Sequence, residues 1–421
     1  EIVGADCDYK IRDVQVYIVE QEHIEHITNA IKSLKHCELV RVTDDVLEIH
    51  RGGAIETISR VNLDSVSKLR MVYTPGVASV CTLIENDPEK AWEYTHKGNR
   101  IAIVTNGTAV LGLGDIGALA GLPVMEGKAA ILAHFVGVSA DPILIDSKDP
   151  LEIINITSKI SSQYGAIQLE DIGAPTCFEV EEALDEMLDV PVFHDDQHGT
   201  ATVLLAGLIG AMKKTNREFK DLNVAMMGAG AAGIAIAKLL LEMGVNDLVM
   251  CDSKGALHEG RDDLNPWKMQ VANRGNKDNI TGNFEEVIKD KNLFIGVSRP
   301  NTVSKAMISS MASDPIVFPL ANPVSEISVE DAIEAGAAIA VDGRGMNNAL
   351  AYPGLFRGAL DARAKKITTE MKLAAARALA DSATDSLMPD MLDLSVHEHV
   401  TNMVREAWEK HGLGNQDPKP E

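Results

Sequence analysis

Short segments with different hydrophobic spacing make up the first sixty residues. Apolar and polar residues alternate over residues 14–19, which predicts a strand, and residues 21–34 have the spacing of an amphipathic helix. Two further apolar stretches, at residues 38–42 and 46–50, predict two more strands. We therefore expect a small, separate α+β segment at residues 1–60.

Apolar strands alternate with helical segments over residues 61–196. Residues 101–104 and 142–145 are two such strands, and a helix is expected to begin near Thr200. This alternation is typical of an α/β domain with a parallel sheet. We therefore predict that residues 61–196 form one α/β domain.

A glycine-rich turn near the middle of the chain is the most specific local pattern. A strand-like apolar run at residues 223–227 is followed by Gly228, Gly230 and Gly233, and then by helical spacing. Glycines at these positions let a strand turn tightly into a helix and let the backbone approach a pyrophosphate. The alternative is a glycine-rich turn in an α/β fold that binds no nucleotide.

Asp252 stands at the tip of the strand predicted after this turn. A carboxylate there accepts hydrogen bonds from ribose hydroxyls and repels a 2′-phosphate, so we expect NAD rather than NADP. The pattern predicts a doubly wound Rossmann-like domain over residues 197–345. Residues 346–421 form a C-terminal helical segment, in which residues 355–380 are rich in Ala, Leu, Arg and Lys and predict a helix packed on the body.

Composition and charge narrow the function. Acidic residues number 62 against 39 Lys and Arg, for a net charge of −23, and no cationic cluster stands out, which argues against nucleic acid. The five cysteines include no CxxC pair, so we expect reduced thiols in the cytoplasm. No apolar stretch runs for 18 residues without a polar or charged residue, so we expect no membrane span. Because the first residue is Glu1, we expect the chain to lack its true beginning.

Two residues suit proton transfer. Lys128 precedes the apolar stretch 129–135, and a position in the first turn of that helix, with partial burial, would lower its pKa toward that of a general base. The alternative is an exposed lysine in a first helical turn. Tyr73 precedes Thr-Pro-Gly, which fixes a turn, although most tyrosines beside turns are structural.

Acidic pairs follow two apolar runs. Glu170 and Asp171 follow one run, and Asp195 and Asp196 follow another, so we expect both pairs at carboxyl ends of strands, where open α/β sheets bind ligands. Neighbouring side chains on a strand point to opposite faces, so the first pair can share an ion only if the backbone turns. Three carboxylates from these tips would suit Mg²⁺ or Mn²⁺. The alternative is that Asp195 or Asp196 caps the following helix.

These motifs, in this order between about residues 70 and 365, resemble those of the malic enzymes, with most similarity to the short bacterial-type subfamily. They are Tyr-Thr-Pro-Gly-Val (73–77), Gly-Leu-Gly-Asp-Ile-Gly (112–117), Val-Met-Glu-Gly-Lys (124–128), Leu-Glu-Asp-Ile (169–172), Phe-His-Asp-Asp-Gln-His-Gly-Thr (193–200), the glycine turn and Leu-Ala-Asn-Pro (320–323). Residues 1–60 resemble the latter part of an ACT-type regulatory domain, whose first strand and helix are absent.

The resemblance implies oxidative decarboxylation of L-malate to pyruvate and CO₂ by an NAD-dependent and Mg²⁺- or Mn²⁺-dependent enzyme. It implies that residues 61–196 are the N-terminal catalytic domain of the family, that residues 197–345 bind NAD, and that the enzyme is at least a homodimer. It also implies site roles: Lys128 as general base, Tyr73 as general acid and Asp195 beside them; Glu170, Asp171 and Asp196 as metal ligands; Asn322 and Asn348 as substrate contacts; and Gly228, Gly230, Gly233, Asp252 and Ser298 as the nucleotide site.

Some questions stay open at this stage. A malolactic enzyme, which forms L-lactate and CO₂, would carry the same motifs. A catalytically inactive ligand sensor with an N-terminal ACT-like segment is a further alternative. The effector of the ACT-like segment is not defined by the sequence. Ala109 stands where the animal-type enzymes have a substrate-binding arginine, and Arg344 is a candidate cation for the malate carboxylate.

Overall fold

The computed structural model describes residues 2–6, 9–16, 18, 21–384 and 386–412, and it divides into two compact units, 1–53 and 54–421. The first unit holds an antiparallel strand pair and two helices: β1 (Ile2–Asp6), β2 (Tyr9–Arg12), α1 (Gln21–Ser33) and α2 (Asp45–Ile49).

The helix predicted at residues 21–34 is confirmed, but the three strand predictions in this unit are wrong for the residues that the structure describes. Residues 46–49 belong to the helix α2 and His50 caps its C-terminus, because the Asp44 carboxylate caps the start of the helix by accepting hydrogen bonds from the backbone N–H groups of Val46 and Leu47. Residues 38–42 have no regular structure, and the described part of 14–19 is likewise not a strand. Residues 17 and 19 lie outside the described residues.

A four-stranded parallel sheet, in the order β4-β3-β5-β6, is the centre of the first α/β domain of the second unit. Three of its strands are mostly apolar and almost fully buried, as expected for a parallel sheet covered on both faces, whereas the edge strand β4 is only partly buried. The elements are α3 (Val66–Val72), α4 (Ala78–Asn86), α5 (Ala91–Tyr94), β3 (Arg100–Thr105), α6 (Leu122–Val136), β4 (Ser139–Leu144), α7 (Pro150–Ile160), β5 (Ala166–Leu169), α8 (Thr176–Met187), β6 (Val192–His194) and α9 (Asp195–Thr215).

The second α/β domain has a six-stranded sheet in the order β12-β11-β10-β7-β8-β9, parallel except for the last pair. The chain crosses from β8 on one side of β7 to β10 on the other, which is the switch point where doubly wound sheets bind nucleotides. This confirms the Rossmann-like prediction. The elements are β7 (Asn223–Met227), α10 (Ala231–Glu242), β8 (Asp247–Asp252), β9 (Gly255–Ala256), α11 (Pro266–Arg274), α12 (Phe284–Val287), β10 (Leu293–Gly296), α13 (Lys305–Ser309), β11 (Ile316–Pro319), α14 (Val329–Glu334) and β12 (Ile339–Ala340).

The long buried helix α9 joins the two sheets, and helices from the C-terminal part of the chain pack around it. It leaves the tip of β6, leads toward β7, and packs against α10 and the C-terminal helix α16. The helix predicted at residues 355–380 is in fact two helices. The C-terminal helices are α15 (Tyr352–Asp361), α16 (Thr369–Ser382) and α17 (Leu394–His411).

One stretch among the described helices, Leu119–Val136, is long and apolar enough by composition to cross a membrane. Core helices of globular proteins pass the same test. This stretch contains α6, which packs on β4 and α15 and buries Met125, Ala129 and Leu132. It also carries Glu126, Lys128 and His134.

Close helix packing in the C-terminal segment depends on glycine. A Cβ atom at Gly358 of α15 would lie 2.7 Å from the carbonyl oxygen of Thr401 and 2.8 Å from Val404, both on α17, whereas a Cβ atom at Gly127 of α6 would meet no heavy atom within 4 Å. We predict that Gly358→Ala lowers the free energy of unfolding by about 1–3 kcal/mol, because the helices must separate. Gly127→Ala is the control and should raise that free energy by about 0.5–1 kcal/mol through its backbone entropy. Chemical denaturation measures the free energy of unfolding of both variants. A Gly358→Ala variant as stable as the wild type would contradict this explanation of the helix packing.

Candidate active site

The two acidic pairs lie at the same edge of the first sheet. β5 and β6 pair in parallel, with Leu169 opposite His194, so the residues that follow these two strands are neighbours. Asp171 has a φ of +53°, a left-handed conformation that turns the backbone directly after Glu170. As a result, oxygens of Glu170, Asp171 and Asp196 lie within 4.8 Å of one another. The turn that the sequence required for a shared ion is present.

These carboxylates suit a divalent cation. The Asp171 Oδ2 atom is buried and has no hydrogen-bond partner in the structure, while Glu170 accepts one bond from Gln168 Nε2 at 2.7 Å. Burial, together with the charge of Asp196, raises the pKa of Asp171 to about 7. A buried carboxylate without a compensating partner is costly, and a hard cation with oxygen ligands would remove that cost. The residues present therefore fit Mg²⁺ or Mn²⁺, and their role as ligands stays a prediction.

Lys128 lies among these acids. Its side chain is only 15% exposed, and its Nζ atom is 3.0 Å from Glu170 Oε1 and 2.5 Å from Asp195 Oδ2. The ammonium group also lies over the ring of Tyr352, 4.7 Å from the ring centroid. The structure thus joins the predicted base to the predicted metal cluster through direct ion pairs.

The predicted reason for a low lysine pKa is wrong. Lys128 is in the interior of α6, which begins at Leu122, and so it is not in a first helical turn. Burial alone would lower the pKa of Lys128, but the charges of Asp195 and Glu170 outweigh burial and raise that pKa well above its usual value. These partners lie far from Lys128 along the chain, so the local pattern around the lysine could not reveal them.

Asp195 and Asp196 do not cap α9. They are its first two residues, the cap position belongs to His194, and no side-chain cap bond is present. Asp195 Oδ2 instead accepts hydrogen bonds from Lys128 Nζ and from Asn348 Nδ2, the latter at 2.8 Å. The capping alternative is therefore excluded, and both carboxylates face the site.

Other predicted residues lie at different distances from this cluster. Asn348 is in contact with it through Asp195, whereas Asn322 follows β11, beside Gly343, with its Nδ2 atom 3.4 Å from the Leu320 carbonyl oxygen. The prediction that Arg344 binds the malate carboxylate gains no support from the structure, because the Arg344 side chain is 81% exposed and pairs with Asp342.

Tyr73 lies at the surface of the single chain. It directly follows α3, and its side chain is 69% exposed. Within residues 54–384 and 386–412, no hydrogen bond holds its phenol. Its predicted role as the general acid is therefore not supported by contacts in the single chain.

The glycine turn has the geometry of a nucleotide cradle. A Cβ atom at Gly228 would collide with the carbonyl oxygen of Val297, and one at Gly233 would collide with the carbonyl oxygen of Gly228. A Cβ atom at Gly230 would meet nothing within 4 Å, which leaves open space at the N-terminus of α10. That helix has no side-chain cap, so its first N–H groups can receive phosphate. Ser298 is in the adjoining loop, next to Val297.

Asp252 ends β8, as predicted, but its carboxylate already has partners. It accepts hydrogen bonds from Arg261 at 2.8 and 3.1 Å and from Lys268 at 2.8 Å. Its charge is therefore compensated by cations, so the predicted repulsion of a 2′-phosphate does not describe this site. The preference for NAD must rest on other evidence.

Sequence reasoning missed Tyr352, Arg261 and Glu326. The fully buried Glu326 carboxylate accepts hydrogen bonds from the backbone N–H groups of Ser298, at 2.7 Å, and Ala321, at 3.1 Å. It thereby ties the cofactor loop after β10 to the substrate loop after β11. The only sequence signal for Glu326 is that it is an acid inside an otherwise uncharged stretch. Nothing in the sequence distinguishes Tyr352 from a tyrosine of the core.

Comparisons with known proteins agree with this arrangement. Two family models match: "Malic enzyme, N-terminal domain" over residues 53–185 and "Malic enzyme, NAD binding domain" over residues 197–397. The chain is 44% identical to an NAD-dependent malic enzyme of Geobacillus stearothermophilus, over 100% of this chain and 90% of the relative. It is 45% identical to a bifunctional malic/malolactic enzyme of Bacillus subtilis, over 90% of this chain and 96% of the relative.

A solved structure gives the same result. The crystal structure of the malic enzyme from Pyrococcus horikoshii matches with a TM-score of 0.85 and 42% sequence identity, covering 89% of this chain and 92% of that one. The sequence motifs that suggested the family form the features described above. These features are the two α/β domains, the acidic cluster with its lysine, and the glycine turn. This chain belongs to the malic enzyme family.

Proposed function

We propose that the cleft around Lys128 carries out the NAD-dependent oxidative decarboxylation of L-malate to pyruvate and CO₂. The observation that carries the proposal is the direct contact of a buried lysine with Glu170 and Asp195, beside a cluster of three carboxylates. A positioned proton acceptor next to an electrophilic metal site is what oxidation of a hydroxy acid followed by loss of CO₂ requires.

Lys128 is the proposed general base. It removes the proton from the C2 hydroxyl of malate as hydride leaves C2 for the nicotinamide ring. Glu170 and Asp195 position the lysine, and Asn348 holds Asp195 by donating a hydrogen bond to the same oxygen. After CO₂ is lost, Tyr73 is the proposed acid that protonates the C3 carbon of the enol and releases pyruvate. One base and one acid acting in succession account for the protons.

The cation explains how a lysine with a raised pKa can act as a base. Mg²⁺ or Mn²⁺ bound to Glu170, Asp171 and Asp196 would polarise the C2 oxygen of malate, stabilise the enolate and, by compensating the carboxylates, lower the pKa of Lys128. The same acids would then keep the lysine protonated without the ion and would let it lose its proton when the ion is bound. The burial of Glu170 and Asp171, and the direct contact of Glu170 with Lys128, support this coupling.

A malolactic outcome is the second candidate. One relative, at 45% identity, is described as a bifunctional malic/malolactic enzyme. Such a reaction would keep NADH in the cleft and reduce pyruvate to L-lactate before release. The residues described above serve both outcomes, so the product decides between them.

We also propose that the enzyme acts as a homodimer or a larger homo-oligomer. Residues 54–86 include no buried side chain in the single chain, and α3 exposes several large apolar side chains, including Leu69, Met71 and Val72, next to Tyr73. Contiguous exposed apolar surface of this kind typically marks an interface. An interface here would also cover Tyr73. The way in which the two copies meet would determine whether Tyr73 acts in the cleft of its own chain or in that of the partner.

Other expectations stay proposals as well. We propose that residues 1–60 are a partial ACT-like domain that binds an allosteric effector, that residues 61–196 and 197–345 are the catalytic and NAD domains, and that residues 346–421 complete the fold. We also propose a cytoplasmic enzyme. The described cysteines, Cys37, Cys81, Cys177 and Cys251, are all free thiols, which is consistent with a reducing compartment.

A product assay tests the reaction. With L-malate, Mn²⁺ and NAD, the wild type should form NADH and pyruvate in equal amounts. Lys128→Ala should lower kcat by about 10²–10⁴-fold, the usual contribution of a general base, while NADH binding, followed by fluorescence, stays close to that of the wild type. Lactate without net NADH would establish the malolactic reaction instead, and near-normal turnover by Lys128→Ala would remove the lysine from the mechanism.

Sedimentation analysis tests the oligomer. The wild type should sediment as a dimer or larger, and Met71→Asp should weaken association at least about tenfold, because a charge would be buried in an apolar interface. Met187→Asp is the matched control, since Met187 is similarly exposed, at 61% against 68% for Met71, but lies at the end of α8. A wild-type monomer, or equal association of the wild type and Met71→Asp, would refute this interface.

A further inference from the structure

Glu326 is a fully buried acid that bonds to two loops at one edge of the second sheet. Its Oε1 atom accepts a hydrogen bond from the backbone N–H of Ser298 at 2.7 Å, and its Oε2 atom accepts one from the backbone N–H of Ala321 at 3.1 Å. Within the described part of the chain no cation pairs with Glu326, so backbone donors stabilise its carboxylate.

The two loops that Glu326 joins lie side by side. The cofactor loop, residues 297–304, follows β10, and the substrate loop, residues 320–328, follows β11. Because β10 and β11 pair in parallel, both loops leave the sheet at the same edge. Two backbone hydrogen bonds also join them, from the Asn301 N–H to the Ser325 carbonyl oxygen at 3.0 Å and from the Val303 N–H to the Glu326 carbonyl oxygen at 3.1 Å.

The end of β10 leaves space for the carboxylate. A Cβ atom at Gly296 would lie 2.5 Å from the carboxyl carbon of Glu326 and 2.7 and 2.8 Å from its two oxygens. Any side chain at this position would therefore displace the acid. The glycine of β10 and the acid of the substrate loop fit each other.

The contacts continue from the glycine turn to the predicted substrate residue. Val297 precedes Ser298 in the cofactor loop, and its carbonyl oxygen would lie 2.4 Å from a Cβ atom at Gly228. On the other side, Ala321 directly precedes Asn322. Glu326 thus lies between the backbone that meets the nucleotide turn and the backbone that carries the substrate amide.

Only an acid can make both bonds. Each oxygen of a carboxylate accepts hydrogen bonds, whereas the amide of a glutamine has one accepting oxygen and an NH₂ group that only donates. In a Glu326→Gln variant, one of the two backbone N–H groups would therefore face another donor. That loop would lose its tie although the side chain keeps its size.

We propose that Glu326 is a positioning residue that couples the cofactor loop to the substrate loop, so that a bound nicotinamide dinucleotide orders the substrate loop and favours binding of the substrate. Coupling of this kind is reciprocal, so the substrate favours binding of the dinucleotide by the same factor. The inference rests on the proposed function only in taking Ser298 as a cofactor contact and Asn322 as a substrate contact.

Amide hydrogen exchange, followed by mass spectrometry with and without NADH, tests the proposal without malate. In the wild type, saturating NADH should slow exchange at least about fivefold in peptides from the cofactor loop and also in peptides from the substrate loop. In Glu326→Gln, NADH should still slow exchange in the cofactor loop. Its effect on the substrate loop should fall below about twofold, because the tie between the loops is broken.

Two further variants complete the exchange experiment. Glu334→Gln is the matched control, since it makes the same change at a carboxylate that is 73% exposed on α14 and pairs with Lys305, and it should behave as the wild type. Gly296→Ala perturbs the same contact from β10 and should also release the substrate loop. It carries the test if Glu326→Gln does not fold.

Fluorescence titration with NADH gives a second readout. In the wild type, L-malate with Mn²⁺ should tighten NADH binding at least about fivefold. Glu326→Gln should bring this factor close to one, while NADH affinity without malate changes less than about threefold. A merely structural role would change stability or NADH affinity but leave this factor as it is in the wild type.

Two outcomes would overturn the proposal. One is that NADH protects the substrate loop of Glu326→Gln as strongly as that of the wild type. The other is that NADH protects only the cofactor loop of the wild type. Failure of the malate reaction would leave the exchange results with NADH unaffected, so failure of the proposed function and failure of this inference are distinguishable.

Discussion

The ion pairs of Lys128 with Glu170 and Asp195 are the constraint on which the rest of the site depends. Glu170 and Asp195 are buried at the tips of two adjacent parallel strands, the Lys128 side chain is only 15% exposed, and each charge would be costly to bury alone. The parallel pairing of β5 with β6 brings the acids to one edge, and α6 brings the lysine to them. The left-handed turn at Asp171 adds a third carboxylate. The sheet edge and α6 therefore bring the proposed proton acceptor next to the proposed cation site.

The strand tips and the glycine turn could be predicted from the sequence because each depends on local chemistry. Three glycines at fixed spacing after an apolar run are typical of only a few backbone geometries. The structure shows why glycine is needed at two of these positions, because side chains at Gly228 and Gly233 would collide with neighbouring carbonyl groups. Acids directly after buried strands fall at the ligand-binding edge of a parallel sheet by topology alone. The family resemblance then assigned roles to these positions.

Properties that depend on distant partners could not be predicted in the same way. The raised pKa of Lys128 comes from acids 42 and 67 residues away, and the compensated charge of Asp252 comes from Arg261 and Lys268 on a later loop and helix. The helix at Asp45–Ile49 was mistaken for a strand because a short apolar run fits both periods, and the Asp44 cap decided between them. Tertiary contacts and capping, rather than hydrophobic spacing, set these outcomes.

The account joins one buried lysine to one cation site, and locating the cation tests it most directly. Crystals grown with Mn²⁺ can be measured at a wavelength where manganese scatters anomalously, so that the ion is identified independently of the protein. The account predicts one strong peak within coordination distance of oxygens from Glu170, Asp171 and Asp196, close to Lys128. A manganese ion bound elsewhere, with these three carboxylates left without one, would contradict it.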